Sequence, residues 1–242
     1  MTSLDTVRAY VQSLHVTIDQ LDQHAITQAI DMLYEAWERG SSIFIMGNGG
    51  SASTASHFAS DLAKFTICEQ KPRFKVMGLT DNVPLVSAWT NDSGFGSIFA
   101  EQLEPWLRRG DVLVGISVHG GSGAGDAGPW SQNLVRAVQL AQARGARVIG
   151  LSGFSGGALQ QVADVCITIP ASGEPEGTPL VESLHVTVHH LICLALKLRI
   201  AASTVRAHGA GAADDAKQER GRGANTRAGG RRNRKKALPI AV

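Results

Sequence analysis

One segment, residues 43–65 (IFIMGNGGSASTASHFASDLAKF), restricts the fold of this chain more than any other stretch. It begins with the apolar run Ile43–Met46, which lies between two serines and a glycine and is typical of a central strand in a parallel sheet. A glycine-rich turn follows, and a helix is expected from Ser51 onward. Strand, glycine turn and helix together predict an α/β protein.

The start of this helix is a predicted anion site. Glycines let the backbone approach a ligand closely. Hydroxyls from Ser51, Ser53 and Thr54 would lie near unpaired N–H groups at the positive end of the helix dipole, where phosphate is the usual ligand. The spacing matches neither G-x-G-x-x-G nor the Walker pattern, which disfavours dinucleotides and nucleoside triphosphates. We assign phosphate binding to four residues of the turn: Asn48, Gly49, Gly50 and Ser51.

Two titratable residues follow on the same helix. His57 and Asp61 stand four residues apart and therefore lie on one helix face. The sequence thus places an imidazole and a carboxylate beside the ligand whose phosphate binds at the helix start.

The rest of the chain continues to alternate between strands and helices. Further strands are predicted at four runs: Phe74–Leu79, Asp111–Ser117, Arg147–Leu151 and Val165–Ile169. A short helix is predicted to start over Val83–Ala88, with Thr90-Asn91-Asp92 following it. Further helices are predicted from Ser131 and over Gly156–Val162 and Thr178–Arg199. This order predicts a doubly wound parallel sheet of about five strands flanked by helices, with the ligand beyond the carboxyl ends of the strands.

The N-terminal region predicts two helices over Leu4–Arg39. Apolar residues recur at helical spacing, with a break near Asp22–Ala25 and a stop at Gly40. A single small sheet could not bury the whole apolar face of the first helix. Part of it is therefore expected to pack against another subunit.

Composition supports a cytoplasmic protein with one domain and an appendage. The 242 residues are 43% apolar, enough for a sizeable core. No signal peptide is visible, and no apolar stretch reaches the roughly twenty residues that a bilayer requires. Cys68, Cys166 and Cys193 have no C-x-x-C spacing and are interpreted as reduced core thiols.

The motif GNGGSAS, followed by His57-Phe58 and Asp61-Leu62, resembles the sugar isomerase (SIS) family and, within it, the sedoheptulose 7-phosphate (phosphoheptose) isomerases. The resemblance covers roughly residues 1–200. It implies a SIS domain at 1–202, with N-terminal oligomerisation helices at 1–40 and a nucleotide-binding-like α/β core at 41–202. It also implies a homotetramer and a sugar-phosphate substrate.

A second serine loop follows the strand that ends at Ser117. The resembled isomerases have more hydroxyls here, whereas this chain has Val118 and His119 and an apparent insertion. His119 is assigned to donate to phosphate in place of a lost hydroxyl. The next phosphate hydroxyl is either Ser122 or Ser131, and an apolar helical stripe directly after Ser131 favours that residue.

The last predicted helix carries four titratable residues within nine positions: Glu182, His185, His189 and His190. Burial alone explains one helical histidine but hardly three beside a glutamate. The resemblance matches Glu182 and His190 to a Gln and a His that meet the first helix. Which histidine of the adjacent pair points inward stays open.

The resemblance implies a zinc site, one per subunit, formed by His57, Asp61, Glu182 and His190. Two imidazoles and two carboxylates suit Zn²⁺ or another divalent ion. A metal-free site in which the same groups act as acid and base is the alternative. The resemblance also implies that Asp92, of the Asn91-Asp92 pair, contacts the sugar, although Asn and Asp favour helix-capping turns in any protein.

The resemblance assigns the catalytic base to the Asp61 position, where the isomerases have Glu, and the acid to His190. Asp61 is one methylene shorter than Glu. The shorter arm holds its carboxylate farther from the reacting carbon and so makes Glu182 an alternative base.

A basic tail begins near Ser203. Residues 203–242 hold ten Lys or Arg against three acidic residues, a net charge of +7, which leaves the preceding part at −5. Because large apolar residues are few, we expect this tail to be disordered. Any nucleic-acid binding would come from this tail alone.

Two function classes follow from the sequence. The first is an isomerase that converts sedoheptulose 7-phosphate to D-glycero-D-manno-heptose 7-phosphate through an enediol. The alternative is a non-catalytic SIS protein, either a sugar-phosphate-sensing regulator or an adaptor of replication initiators. The histidines and carboxylates favour the enzyme, since a sensor needs only the phosphate loops.

Overall fold

A computed structural model describes residues 2–121 and 131–205 of the chain. The strands are β1 (Ser42–Gly47), β2 (Lys75–Gly78), β3 (Val112–Ile116), β4 (Arg147–Gly153) and β5 (Val165–Ile169). The helices are α1 (Ser3–Asp19), α2 (Gln23–Arg39), α3 (Gly50–Ser60), α4 (Val83–Ser93), α5 (Ile98–Leu103), α6 (Gln132–Ala143), α7 (Gly157–Val162) and α8 (Gly177–Ala202). The basic segment from Arg206 and residues 122–130, which include Ser122, lie outside the described residues.

All five strands pair in parallel, in the order β2-β1-β3-β4-β5. Strand β1 lies inside the sheet between β2 and β3, and every residue from Ile43 to Gly47 is buried. Its side chains alternate between two faces, as the pleat of a strand requires. Ile43 and Ile45 pack on the layer that contains α2, α3 and α8, and Phe44 and Met46 pack on the layer of α5 and α6. The predicted α/β class and doubly wound sheet are confirmed.

The N-terminal helices are joined by a tight turn. Asp22 caps α2, and its side chain accepts hydrogen bonds from the N–H groups of His24 (2.9 Å) and Ala25 (3.0 Å). The break therefore lies before Asp22, a few residues earlier than the sequence indicated, because that aspartate is the cap. Gly40 ends α2 with φ +65°, as predicted.

Helix α4 is longer than the sequence indicated. Asn82 caps it by accepting from the Leu85 N–H at 3.1 Å. The Thr90-Asn91-Asp92 segment, expected after the helix, forms its last turn. The helix has no buried residue, and its exposed side chains include Val83 and Leu85.

Helix α8 is long and apolar enough to cross a membrane by length and composition alone. The sequence predicted no apolar stretch of that length, and α8 meets the criterion only as an average, because charged residues and histidines interrupt its 26 residues. Half of its most apolar window is buried inside this fold, a property of core helices in globular proteins. The buried residues include Leu184, Val188 and Ile192, which belong to the main core.

Candidate functional site

A cavity of about 260 Å³ lies where β1 and β3 end. The chain leaves β1 for β2 on one side and reaches β3 on the other, so this is the topological switch point at which open α/β sheets bind ligands. The lining residues come from the two serine loops and from α8: Asn48, Gly49, Gly50, Ser51, Ser117, Val118, His119, Gly121, Ser131 and Glu182. Seven of the nine residues predicted to bind substrate or phosphate line it together with Glu182. The other two are Asp92, which lies elsewhere, and Ser122, which is outside the described residues.

The turn between β1 and α3 needs glycine for two different reasons. Gly49 has φ +56°, a conformation that residues with a Cβ rarely adopt. Gly50 has an ordinary φ but no room, because a Cβ there would lie 2.1 Å from Glu182 Oε1. The glycine turn therefore admits the α8 carboxylate to the cavity.

Asn48 is held by a residue to which the sequence assigned no role. Its side-chain amide donates to Asn133 Oδ1 at 3.0 Å, and the Asn133 amide donates back at 2.9 Å. Asn133 is fully buried at the start of α6. Its position two residues after Ser131, in a helix-start pattern, was the available signal. The pair fixes Asn48 and ties the two serine loops together.

The second serine loop turns tightly after β3. Ser117 Oγ accepts a hydrogen bond from the Gly121 N–H at 3.2 Å, which shows that this serine shapes the loop. His119 stacks on Phe154, with ring centroids 4.8 Å apart and planes 22° apart. Stacking orients the imidazole that lines the cavity. Ser131 lines it as well, with φ +61°, while Ser122 lies outside the described residues.

A second group of functional side chains lies farther along α3 and α8. Four residues could each offer one metal ligand atom, all within 4.8 Å of one another: His57, Asp61, His189 and His190. Asp61 Oδ2 lies 3.6 Å from His57 Nε2, 3.3 Å from His189 Nε2 and 3.5 Å from His190 Nε2. The Nε2 atoms of His57 and His190 are 3.4 Å apart. Three imidazoles thus face one carboxylate oxygen.

The helix changes its winding at this carboxylate. Residues Asp61–Phe65 form a π-helical turn, and the Thr66 N–H donates to the Asp61 carbonyl oxygen at 3.2 Å. Such turns are rare and concentrate at functional sites. The sequence indicated an uninterrupted helix here, because hydrophobic spacing does not distinguish one wider turn.

The cluster has a buried side and an open side. His189 is fully buried, whereas the side chains of His57 and His190 are about half exposed. His189 packs on Phe58, with ring centroids 5.3 Å apart. Burial, together with the neighbouring histidines, lowers the pKa of His189 to about 4, and Asp61 acts in the opposite direction. The imidazole is therefore neutral near pH 7, the form that ligates metals.

The remaining predicted residues lie elsewhere. Asp92 is exposed at the end of α4 and accepts from the Asn91 amide at 2.7 Å. His185 is buried, and its Nε2 donates to the Ser152 carbonyl oxygen at 3.0 Å, a structural role. At the start of α3, Ser53 is exposed and Thr54 donates to the Gly50 carbonyl oxygen. Glu182 does not belong to the histidine group, since its carboxylate lies against Gly50.

This fold and its switch-point cavity define an α/β domain of the sugar isomerase class. A sequence profile of the SIS domain matches residues 7–153, and the chain belongs to the SIS family. It is 46% identical over 194 residues to the lincomycin biosynthesis protein LmbN of Streptomyces lincolnensis, covering 80% of this chain and 70% of LmbN. It is 34% identical over 191 residues to a phosphoheptose isomerase of Rhodospirillum rubrum, covering 78% and 94% of the two chains.

A solved structure agrees with these sequence relatives. The phosphoheptose isomerase of Francisella tularensis superposes with a TM-score of 0.71 at 29% identity, over 82% of this chain and all of that one. The resemblance to phosphoheptose isomerases is confirmed, and the chain is a sugar-phosphate isomerase.

Proposed function

We propose that this isomerase converts sedoheptulose 7-phosphate to D-glycero-D-manno-heptose 7-phosphate through an enediol. One observation carries the proposal: a polar cavity at the helix start and a histidine–carboxylate cluster lie along the same two helices. A ketose phosphate needs both, one for its phosphate and one for the carbons between which a proton moves.

The spacing of the two sites supports a linear sugar. Six residues separate Ser51 from His57 on α3, about 9 Å along the axis at 1.5 Å per residue. A phosphate bound by Asn48, Gly49 and Ser51 would thus leave the far end of an extended sugar chain near His57. The dipole of α3 and the hydroxyls of Ser51 and Ser117 favour the phosphate charge.

The reacting end needs a base, an acid and a group that stabilises the enediolate oxygens. In the metal-free alternative His190 is proposed as acid, because its Nε2 is then free to carry a proton, and either Asp61 or Glu182 is proposed as base. The donor set of the cluster, imidazole nitrogens and a carboxylate oxygen, fits Zn²⁺ or another divalent ion, one per subunit. Such an ion, when bound, polarises the sugar oxygens. His57, Asp61 and His190 would hold it.

We also propose a cytoplasmic homotetramer, with the SIS domain ending near residue 202, where α8 ends. Two exposed apolar stripes support the assembly: Leu4, Val7 and Val11 on α1, and Leu191, Leu194 and Leu198 on α8. The α8 residues recur at helical spacing and lie on one face. Unpaired apolar stripes of this kind are buried most simply by a second copy of the chain.

A second candidate substrate is a different ketose phosphate used in small-molecule biosynthesis. The 46% identity to the lincomycin biosynthesis protein, against 34% to the phosphoheptose isomerase, favours it. The second serine loop, where Val118 and His119 replace expected hydroxyls, is where specificity would differ.

Incubation of the purified protein with sedoheptulose 7-phosphate, followed by NMR, tests the proposal. We expect aldoheptose 7-phosphate signals to appear and to be absent with unphosphorylated sedoheptulose. A panel of shorter and longer ketose phosphates compares substrates by kcat/KM. A longer or shorter sugar that is turned over at least tenfold faster would replace sedoheptulose 7-phosphate as the substrate.

A further inference from the structure

We infer that His189, rather than Glu182, completes the metal site, so that the ligands are His57, Asp61, His189 and His190 and the carboxylate of Glu182 is left free. The inference rests on the proposed metal-dependent isomerase. It changes which of this chain's residues hold the ion and which face the substrate.

The first argument is the unsatisfied state of His189. Its side chain is fully buried, and neither ring nitrogen has a hydrogen-bond partner among the described residues. A buried polar group without a partner is costly and needs an explanation. The Nε2 atom lies 3.3 Å from Asp61 Oδ2, without the geometry of a hydrogen bond, and a shared cation gives both atoms a partner.

The second argument is the spacing of the ligand atoms. Ligands that sit about 2.0–2.1 Å from one tetrahedral ion lie about 3.3–3.4 Å from each other. Four of the six separations among the Nε2 and Oδ2 atoms are 3.3, 3.4, 3.5 and 3.6 Å, and all the ligand atoms lie within 4.8 Å of one another. The three nitrogen–oxygen distances exceed the range of about 2.7–3.2 Å that N–H···O bonds prefer. The atoms of His57, Asp61 and His190 therefore have the mutual spacing of ligands around one ion, and His189 Nε2 lies 3.3 Å from the carboxylate oxygen that they share.

The third argument is the position of Glu182. Seven residues separate Gly50 from His57 on α3, and seven separate Glu182 from His189 on α8. Glu182 lies against Gly50, and the His189 ring lies 4.7 Å from the His57 ring, so the helices meet at two levels. Seven residues correspond to about 10 Å along a helix axis. Glu182 therefore lies beside the phosphate cavity, and His189 lies about two helical turns farther along, beside the histidine–carboxylate cluster.

A free Glu182 fits the chemistry of the site. A carboxylate that ligates a metal is a weaker base than one that does not, which disfavours Asp61 as base. Glu182 lines the cavity and is only half-buried, so that a bound sugar can reach it. Because His189 takes the ligand position in place of Glu182, the Glu182 carboxylate stays available to abstract a proton.

Zinc binding by variant proteins tests the inference without any turnover. Metal-free wild type, His189→Leu and Glu182→Ala are titrated with Zn²⁺ in competition with a chromophoric chelator, and Co²⁺ reports the ligand field by visible absorption. We expect His189→Leu to weaken Zn²⁺ binding by at least about tenfold and to alter the Co²⁺ spectrum, since even loss of an outer-sphere partner costs about that much. Glu182→Ala, which removes every possible ligand atom from that side chain, should leave both unchanged.

Thermal unfolding supplies a second readout. Leucine removes two unpartnered buried nitrogens, so metal-free His189→Leu should melt at or above the temperature of metal-free wild type and gain less from added Zn²⁺. Unchanged Zn²⁺ affinity in His189→Leu, or a tenfold loss in Glu182→Ala, would overturn the inference. If His189→Leu fails to fold, the Glu182→Ala titration decides. A wild type that isomerises sedoheptulose 7-phosphate but binds no Zn²⁺ would refute this inference and leave the isomerase proposal intact.

Discussion

The carboxylate of Glu182 occupies the space that a side chain on Gly50 would need, with Oε1 2.1 Å from the position of a Cβ. The two residues are 132 positions apart in the chain, and they bring α8 to the start of α3. Because the obstructing atom is at the end of a flexible side chain, substitution at Gly50 displaces the carboxylate rather than the backbone.

We therefore expect Gly50→Ala to fold with a melting temperature within a few degrees of wild type and to lose isomerase activity by at least about tenfold. In the Glu182→Gln background Gly50→Ala should reduce isomerase activity little further, because the effects of substitutions at contacting residues are coupled. Steady-state kinetics of the double-mutant cycle measures this coupling. An equal loss in both backgrounds would mean that Gly50 acts independently of Glu182.

Ser51 and Ser117 line the cavity and are nearly buried. Replacing either with Ala should weaken sugar-phosphate binding by roughly 1.5–3 kcal/mol, the scale of a hydrogen bond to a charged group. Ser53→Ala is the matched control, since that serine is exposed two residues further along the same helix. Calorimetric titration with the sugar phosphate measures the three affinities. Unchanged binding in both cavity variants would show that the substrate phosphate does not bind in this cavity.

The choice of base is open to a direct isotope experiment. If Glu182 abstracts the proton, Glu182→Gln should slow solvent-deuterium uptake at the substrate C1 or C2 by about a hundredfold or more. Its zinc content should stay at the wild-type level. If Glu182→Gln exchanges at the parent rate while Asp61→Asn does not, Asp61 is the base.

His185 predicts a pH dependence of stability. Burial lowers the pKa of His185 to about 4 from its ordinary 6.5, although its bond to the Ser152 carbonyl acts in the opposite direction. Between these values the unfolded chain binds more protons, so stability is complete above pH 6.5 and falls as the pH drops toward 4. The contribution of His185 to this decrease in the free energy of unfolding has a limiting slope of about 1.4 kcal/mol per pH unit.

Urea unfolding of metal-free protein at several pH values measures this slope. His185→Gln keeps a donor for the Ser152 carbonyl but does not titrate, so its free energy of unfolding should fall less steeply than that of wild type. Some slope should remain, because His189 has a pKa lowered in the same direction. Parallel pH profiles for the two proteins would refute the assignment to His185.

Local sequence patterns determined most of the architecture. The apolar run at Ile43–Met46 and the glycines after it specify a strand and a turn wherever they occur, because burial and backbone freedom act at the level of a few residues. The alternation of such units fixed a parallel sheet, which placed both serine loops at one edge. Pairing His57 with Asp61 also needed only the period of a helix.

Only the tertiary structure decided how α8 meets α3. Glu182 and His189 are seven residues apart and share a helix face, whereas His190 lies about 80° around the axis, so sequence alone left the inward histidine open. The packing of α8 against α3 brought both histidines to Asp61, with His189 buried and His190 half exposed, and aligned Glu182 with Gly50. The tertiary structure also decided two further features. The Asn48–Asn133 pair depends on a contact between distant segments. The π-helical turn at Asp61 depends on local helix winding, which hydrophobic periodicity does not encode.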